Sequence, residues 1–328
     1  MRAAYYETFG SADDVLQVGE IDDVTPGDGE VLVRMAYSGV NPSDVRARQG
    51  GAKRPFDYAR TIPHSDGSGT IAAVGAGVSS DRVGERVWLW NAQWFRPFGS
   101  AAELVALPSQ QAVKLPADTS FEEGACLGIP AMTAWHALSF MPGLSGKTIL
   151  VTGGAGSVSR YAIAMAKSMG ARVLTTTSVE EKTQYALAAG ADLALDYRAA
   201  DFADRVLAET GGNGVDFYVE SNLAGNAALL PVIVAPHGTI VVYGTGGNEA
   251  TIPSNAIMRK CMRMQFILVY EMLEADRPAT LTGINDLLER QVLTKPQTHI
   301  FEVDDVVAAH KAVEDGTRIG QVLIKFGA

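Results

Sequence analysis

The sequence predicts a two-domain α/β protein, in which a β-rich domain is followed by a doubly wound domain built on a parallel sheet. Its 328 residues suffice for two domains of ordinary size. Short extended segments separated by Gly, Pro and Asp turns dominate up to about residue 115. After Pro116, strands and helices alternate at the spacing of βαβ units, which is typical of a parallel sheet.

The β-rich part contains three predicted strands, over residues 31–37, 67–77 and 83–90. Strands this short favour a small barrel or a sandwich, and the sequence leaves both open. Near the other end of the chain, Asp304 is expected to cap a helix, and a last strand over 321–325 is expected to return to this domain. We therefore assign residues 1–118 and 272–328 to one domain.

Residues 119–271 form the predicted doubly wound domain. Ser120, with Glu123 three residues later, fits a capping box and predicts a helix over 120–137. The elements expected after it are strands at 148–152, 172–176, 193–197, 215–220, 239–243 and 265–270, with helices at 157–169, 180–189 and 202–209.

The composition excludes several classes of protein. A net charge of −10 argues against broad nucleic-acid binding and against an anionic membrane surface, although it allows a local basic pocket. Cys126 and Cys261 give no disulfide framework, and we interpret both as buried small hydrophobes. We find no signal peptide and no apolar run near the roughly 20 residues that cross a bilayer. These features predict a cytoplasmic protein.

The strongest chemical signal is VTGGAGSVS over residues 151–159, between the first strand and the first helix of the αβ series. Glycines there let the backbone approach a pyrophosphate, and the helix N-terminus supplies free N–H groups. A plain tight turn is the alternative. Ser159 stands where a third glycine normally allows close packing of helix on strand, so we expect a slightly wider contact there rather than loss of binding.

The second strand of the series predicts which dinucleotide binds. Sites specific for NAD carry Asp or Glu about 20 residues on, at the end of that strand, to bind the ribose 2′-OH. Here the strand ends in Thr177 and Ser178 with no acid, which leaves room for a 2′-phosphate. Lys182 could pair with that phosphate, or could simply lie on a solvated helix face, and two neighbouring glutamates weaken the electrostatic case. The sequence predicts NADP(H).

The order and spacing of five segments carry a family resemblance. These segments are GVNPSDVRARQG (39–50), PHSDGSG (63–69), VGAG (74–77), VGERV (83–87) and GIPAMTAW (128–135). With them, the chain resembles the medium-chain dehydrogenase/reductase superfamily, and within it the zinc-independent, ζ-crystallin-like quinone oxidoreductases. The resemblance covers nearly the whole length.

The resemblance implies a GroES-like barrel, a Rossmann domain and an active site in the cleft between them. It also implies hydride transfer from NADPH to a quinone or to an activated C=C bond. Carried over position by position, it places Asn41 and Thr133 at the nicotinamide, Gly153, Gly154, Ala155, Gly156, Ser157 and Val158 at the pyrophosphate, Thr177, Ser178, Lys182 and Tyr197 around the 2′-phosphate, and Tyr243, Gly244 and Thr245 at the nicotinamide ribose.

Zinc-dependent relatives need ligands that this sequence does not offer. Their catalytic cysteine would fall within residues 39–43, where there is none, and their Gly-His-Glu motif would fall on His64, Ser65 and Asp66. We expect no metal, and we interpret His64 and Asp66 as a hydrogen-bonded structural pair. The remaining histidines, His136, His237, His299 and His310, show no ligand spacing.

Without a Lewis acid, reduction of an electron-poor acceptor is favoured over alcohol oxidation. The oxyanion that forms then needs hydrogen-bond donors and a proton. The candidate catalytic residues are Asn41, Asp44 and Arg46. Arg46 would stabilise the developing charge or bind an anionic acceptor; the alternative is that it pairs with Asp44. Aromatic residues between Trp88 and Phe98 would wall the acceptor pocket, or belong to the barrel core and an ordinary loop.

Two other functions stay open. The chain could be an NADPH-binding protein with little turnover, or it could reduce enoyl thioesters. The expected partner is a small electrophilic acceptor. The apolar run 266–270 could pair across a two-fold axis, so a homodimer is expected, although a buried strand would read the same way.

Overall fold

The computed structural model describes residues 1–51 and 58–327. Its strands, in chain order, are β1 Arg2–Tyr5, β2 Gln17–Glu20, β3 Glu30–Val40, β4 Asp66–Val74, β5 Arg86–Leu89, β6 Leu104–Pro108, β7 Ala112–Lys114, β8 Thr148–Val151, β9 Arg172–Thr177, β10 Leu193–Asp196, β11 Val215–Glu220, β12 Val234–Val242, β13 Arg263–Phe266, β14 Thr298–Glu302 and β15 Gln321–Lys325.

The α-helices of the described residues are α1 Ala12–Val15, α2 Pro42–Arg48, α3 Phe121–Gly124, α4 Gly128–Ser139, α5 Ser157–Ser168, α6 Glu180–Ala188, α7 Phe202–Glu209, α8 Leu223–Asn226, α9 Leu230–Ile233, α10 Ser254–Arg259, α11 Arg277–Glu289 and α12 Val306–Glu314. In the part of the chain that the structure describes, none of these helices is long and apolar enough to span a bilayer.

The chain forms two compact units. One comprises residues 1–129 and 295–328, and the other residues 130–294. The first is β-rich, with strands in the order β14-β15-β3-β4-β5-β7, β6 paired to β3, and a separate β1-β2 pair. The last strand returns to it as expected, since β15 pairs antiparallel with β3.

The second unit is a six-stranded sheet in the order β10-β9-β8-β11-β12-β13. All of its strand pairs are parallel. This confirms the doubly wound fold, because the order runs outward from the first strand in both directions. Its core contains the central strands and the helices packed on them, among them Leu150, Leu174, Val206 and Tyr218.

One predicted helix is in fact two. The capping box at Ser120 and Glu123 is present, but α3 ends at Gly124 and α4 starts only at Gly128. At this break the backbone N–H of Ile129 turns to the carboxyl of Asp66, 2.7 Å away. A Cβ on Gly128 would lie 2.2 Å from the same carboxyl, so close approach replaces a continuous helix.

Three further expectations were wrong in detail. The strand expected over 265–270 is β13, which ends at Phe266, and a 3₁₀ turn follows over Val269–Glu271. Asp304 does not cap α12: it forms an ion pair with Arg2 instead, within a 3₁₀ turn that precedes the helix. Cys261 is exposed, because it follows α10 in a left-handed turn, with φ of 51°, whereas Cys126 is buried as expected.

Candidate active site

The glycine loop after β8 is shaped by its own backbone. The N–H of Gly153 donates to Thr176 Oγ1 at 2.8 Å, and the N–H of Gly154 donates to the Thr176 carbonyl at 2.9 Å. Gly153 has φ of +64°, and a Cβ on Gly154 would lie 2.3 Å from Thr175 Oγ1. Both positions therefore require glycine. Because the bonds run to the end of β9, the loop is held where β8 and β9 finish.

The loop leads into a helix with an uncapped N-terminus. The N-cap of α5 is Gly156, which has no side chain that could accept a hydrogen bond from the N–H groups of the first turn. The N–H groups of that turn are therefore available to an anion, and the helix dipole adds partial positive charge. A turn of this kind is typical of sites that bind phosphate groups.

Ser159 joins the loop to the next strands. Its buried hydroxyl donates to the carbonyl of Thr152 at 2.7 Å and lies 3.1 Å from the hydroxyl of Tyr243. The serine that replaces the family's third glycine is thus bonded to the end of β8. Thr152 in turn contacts Ser221 at the end of β11, with 2.9 Å between the two hydroxyls.

Residues 243–245 lie against this network. The N–H of Tyr243 donates to the carbonyl of Glu220 at 3.0 Å, and burial raises the pKa of the Tyr243 hydroxyl. A Cβ on Gly244 would lie 2.2 Å from the carbonyl of Ser221, so the chain passes very close there. The Thr245 carbonyl accepts a bond from Ala224 at 2.8 Å.

Glu220 is a buried acid that sequence reasoning missed. It is fully inaccessible, and both of its carboxyl oxygens accept bonds from Asn226 Nδ2 at 3.0 Å. Burial raises its pKa, while bonds from Asn222 and Asn226 act against that rise. Only its position at the end of a parallel strand, where ligands bind in such folds, could have indicated it.

The end of β9 brings together the residues predicted for a 2′-phosphate. Thr177 is buried and bonds Thr183 through their hydroxyls at 2.7 Å. Tyr197, which is exposed, donates its N–H to the Thr177 carbonyl at 3.4 Å. Ser178 follows directly, and Lys182 lies half-buried in the first turn of α6.

An arginine at this place was not predicted. Arg198 is exposed, and its guanidinium donates to the carbonyl of Ser178. Its Nε donates to Asp196 Oδ1 at 3.1 Å. The Asp196 pKa is lowered by bonds from the backbone and side chain of Arg198. A cation thus lies at the loop that would receive a 2′-phosphate. Because Arg198 follows Ser178 by 20 residues, the sequence alone does not show that the two are neighbours.

In the β-rich unit, Asn41 lies between two buried carboxyl groups. It caps α2, where its N–H donates to Asp44 Oδ2 at 2.7 Å. Its Nδ2 donates to Asp66 Oδ2, also at 2.7 Å. Burial raises the pKa of Asp44 to about 7. Burial, and then the charge of Asp44, raise the pKa of Asp66 well above its usual range.

Two expected pairings in this region are wrong. Arg46 is exposed, and among the described residues it makes no ion pair with Asp44, whose carboxyl is turned inward to Asn41. His64 does not bond Asp66. Its Nδ1 lies 2.8 Å from Ser38 Oγ, and its Nε2 lies 2.9 Å from the Nε2 of His310 on α12.

The His64–His310 pair is buried, with the two rings stacked at 5.1 Å. Burial lowers the pKa of both residues, that of His310 to about 3, and the charge of Arg48 adds to the effect there. The Nδ1 of His310 has no hydrogen-bond partner within the described ranges. Because 246 residues separate the two histidines, no local motif could predict the pair.

The donor set does not fit a catalytic metal. Within residues 1–51 and 58–327, no three His, Cys, Asp or Glu side chains are grouped as ligands. At the position of the zinc relatives' histidine ligand stands Ser65, whose carbonyl accepts the N–H of Ala92 at 3.0 Å.

The aromatic residues divide between core and loop. Trp88 and Trp90 are buried. Trp94 packs edge-on against Phe95 with 4.9 Å between ring centroids, and Phe95 and Phe98 are exposed. The first pair thus belongs to the interior. Thr133, the other residue expected at the nicotinamide, is buried in α4 of the second unit.

Known proteins match the chain along most of its length. Residues 157–286 match a zinc-binding dehydrogenase family, and residues 27–117 match the alcohol dehydrogenase GroES-like domain. Human quinone oxidoreductase is 28% identical over 261 residues, which cover 79% of this chain and 78% of that protein. A 2-methylene-furan-3-one reductase of Solanum lycopersicum is 30% identical over 257 residues, covering 75% and 66%.

Solved structures share the fold. The structure of mycobacterial Rv1454c complexed with NADPH superposes with a TM-score of 0.88 at 27% identity. The match covers 99% of this chain and 100% of that one.

Proposed function

The chain belongs to the medium-chain dehydrogenase/reductase superfamily, and from that premise we propose that it reduces a quinone or the activated C=C bond of an α,β-unsaturated carbonyl with NADPH, without zinc. That it is an NAD(P)-dependent oxidoreductase follows from the family matches and the human and tomato relatives. The use of NADPH and the zinc-free reaction are supported by the residues at both ends of the cofactor site and by the lack of metal ligands at the positions where zinc-dependent relatives carry them.

The residues of the glycine loop fit a dinucleotide. Gly153 and Gly154 have no room for a Cβ or require a left-handed backbone, and the first turn of α5 offers free N–H groups. These groups would hold the pyrophosphate. Tyr243, Gly244 and Thr245 would border the ribose beside the nicotinamide. When bound, the cofactor supplies the hydride.

One observation carries the preference for NADPH over NADH. Where an NAD site would present a carboxylate, after β9, this chain has Ser178, and the guanidinium of Arg198, which follows β10, donates to the Ser178 carbonyl. The nearby acid, Asp196, is bonded to Arg198. A 2′-phosphate would meet one arginine, with Lys182 and Tyr197 on neighbouring segments. Mycobacterial Rv1454c, which is similar along nearly its whole length, is complexed with NADPH.

The acceptor is inferred from what this chain can stabilise. No thiolate or imidazole stands at the position of a zinc ligand, so an alcohol would lack the group that lowers its pKa. An electron-poor acceptor needs only donors for the oxyanion and a proton. Asn41 and Thr133 are our proposed nicotinamide contacts. The exposed guanidinium of Arg46, without a carboxylate partner among the described residues, is the proposed donor to the acceptor oxygen.

The test is NADPH oxidation, followed by absorbance, with 1,2-naphthoquinone, 9,10-phenanthrenequinone, a 2-alkenal and a crotonyl thioester. We expect turnover with a quinone or the alkenal, and a higher kcat/KM with NADPH than with NADH. Arg46→Ala should lower kcat/KM for at least one acceptor, with Arg259→Ala, an exposed arginine at the end of α10, as control.

Other outcomes separate the alternatives. NADPH binding without consumption by any acceptor would favour a low-turnover binding protein. Turnover confined to the crotonyl thioester would make the chain an enoyl-thioester reductase. Equal kcat/KM for Arg46→Ala and wild type across the panel would remove Arg46 from the mechanism.

A further inference from the structure

Asp66 is a buried carboxyl group that has no part in the proposed reaction so far. It is the first residue of β4 and is 1% exposed. Both of its oxygens accept hydrogen bonds, Oδ1 from the N–H of Ile129 and Oδ2 from the Nδ2 of Asn41, each at 2.7 Å. It therefore connects Asn41 to the start of α4.

The carboxyl group has no room to turn. A Cβ on Gly128 would lie 2.2 Å from Asp66 Oδ1, and a Cβ on Gly39 would lie 3.0 Å from Asp66 Cβ. Backbone therefore approaches the side chain from two sides, at positions where any other residue would collide. Since the Ile129 N–H occupies one oxygen, the other is left pointing at Asn41.

The amide of Asn41 is fixed from its other side as well. Its side chain accepts the backbone N–H of Asp44 in the capping box of α2, while the carboxyl of Asp44 accepts the N–H of Asn41. The amide oxygen thus faces the helix, and the amide nitrogen faces Asp66. Turning the amide over would set its oxygen against a carboxyl and its nitrogen against an N–H, which would leave buried groups unsatisfied.

We propose that Asp66 is a positioning residue, whose doubly bonded carboxyl sets the orientation in which Asn41 meets the nicotinamide. The proposal rests on the proposed function, in which Asn41 is a nicotinamide contact. Asp66 is too buried to touch a reactant, and of the two groups bonded to its carboxyl only Asn41 offers a side chain to the nicotinamide, so we expect its effect on catalysis to pass through Asn41. Cofactor affinity should depend on it little, since the pyrophosphate and 2′-phosphate groups have their own contacts.

The test is a double-mutant cycle of Asp66→Asn and Asn41→Ala. Asparagine has one acceptor oxygen where Asp66 uses two, so one of the two donors loses its partner. We expect each single variant to lower kcat with a quinone roughly 10- to 100-fold, as small misplacements at a reacting centre do. In the Asn41→Ala background, Asp66→Asn should cost no more than about twofold.

A second readout does not depend on turnover. The emission of bound NADPH reports the surroundings of the nicotinamide, and we expect Asp66→Asn and Asn41→Ala to change it alike. The NADPH Kd should stay within about threefold of wild type, which is a small change beside a charge-assisted bond. Asp216→Asn is the matched control: its carboxyl also accepts a backbone N–H, that of Thr148 at 2.9 Å, and both readouts should stay at wild-type values.

Each outcome decides the proposal. An unchanged kcat for Asp66→Asn would overturn it. So would a decrease in kcat on Asp66→Asn that is as large in the Asn41→Ala background as in wild type. If the wild-type protein oxidises no NADPH with any acceptor of the panel, the proposed function fails. The emission of bound NADPH in the two variants then decides the role of Asp66. Should circular dichroism show Asp66→Asn unfolded, Asp66→Ser takes its place in the cycle.

Discussion

The glycine loop at residues 153–158 and the buried cluster around Asn41 are built in opposite ways. The loop comes from one stretch of chain, and its ligands would be backbone N–H groups. The cluster comes from side chains on separate segments, namely Ser38, Asn41, Asp44, His64, Asp66, Ser100 and His310. One region needs the absence of side chains, and the other depends on which side chains are present.

This difference decides what a mutation does in each region. A Cβ added to the loop fills space that a ligand or a neighbouring strand occupies, so binding is lost. A side chain removed from the cluster leaves its partners buried and unsatisfied, at a cost of about 1–3 kcal/mol for each group. We therefore expect the largest binding effects from the loop and graded, pH-dependent effects from the cluster.

The largest effect is expected at Gly154. In Gly154→Val, the added Cβ would lie 2.3 Å from Thr175 Oγ1 and 3.0 Å from Ala186 Cβ, so the loop must move away from β9. The N–H groups then no longer face one point. We expect the Kd for NADPH, measured by titration calorimetry, to rise by more than about 100-fold, since several charge-assisted bonds are lost together.

Gly247→Ala is the matched control in the same unit. A Cβ there would lie 3.5 Å from the Glu249 carbonyl, which is an ordinary contact, and its NADPH affinity should stay at the wild-type value. NADPH binding by Gly154→Val as tight as that of the control would show that the loop does not hold the pyrophosphate.

The next effect tests a side chain at the proposed 2′-phosphate site. Arg198→Ala removes the guanidinium bonded to the Ser178 carbonyl. A hydrogen bond to a charged group contributes about 1.5–3 kcal/mol, so the NADPH Kd should rise roughly 10- to 100-fold. NADH lacks the 2′-phosphate, and its Kd should not change. If Arg198→Ala weakened the binding of NADPH and NADH equally, the arginine would not contact the 2′-phosphate.

Lys182→Ala, compared in parallel, measures how the two cations share the phosphate.

The same contrast explains what could be predicted from the sequence. The parallel sheet and the glycine loop follow from local patterns, because strand, turn and helix signals are contiguous there. The partner of His64 could not be predicted, since it lies 246 residues away on α12. Arg198 was missed because β10 brings it beside Ser178 only once the sheet forms. The helix break before Gly128 likewise depends on the carboxyl of Asp66, which lies 63 residues before its donor Ile129.

The smallest effect is a pH dependence that arises at His310 in the cluster. Burial lowers the pKa of His310 from 6.5 to about 3, so between these values the unfolded chain takes up a proton that the folded chain refuses. Stability contributed this way is complete above pH 6.5 and falls as the pH drops toward 3. At pH 5.5 the loss is about 1.4 kcal/mol for one such histidine. The raised pKa values of Asp44 and Asp66 act in the opposite direction over this range, but they act in both proteins. His310→Gln removes only the histidine's contribution, so in urea unfolding the change in stability from pH 7.5 to 5.5 should be less favourable for wild type than for the variant. His237→Asn, at an exposed left-handed position that asparagine tolerates, should keep the wild-type slope. A wild-type slope in His310→Gln as well would mean that the histidine pair is not held neutral by its burial.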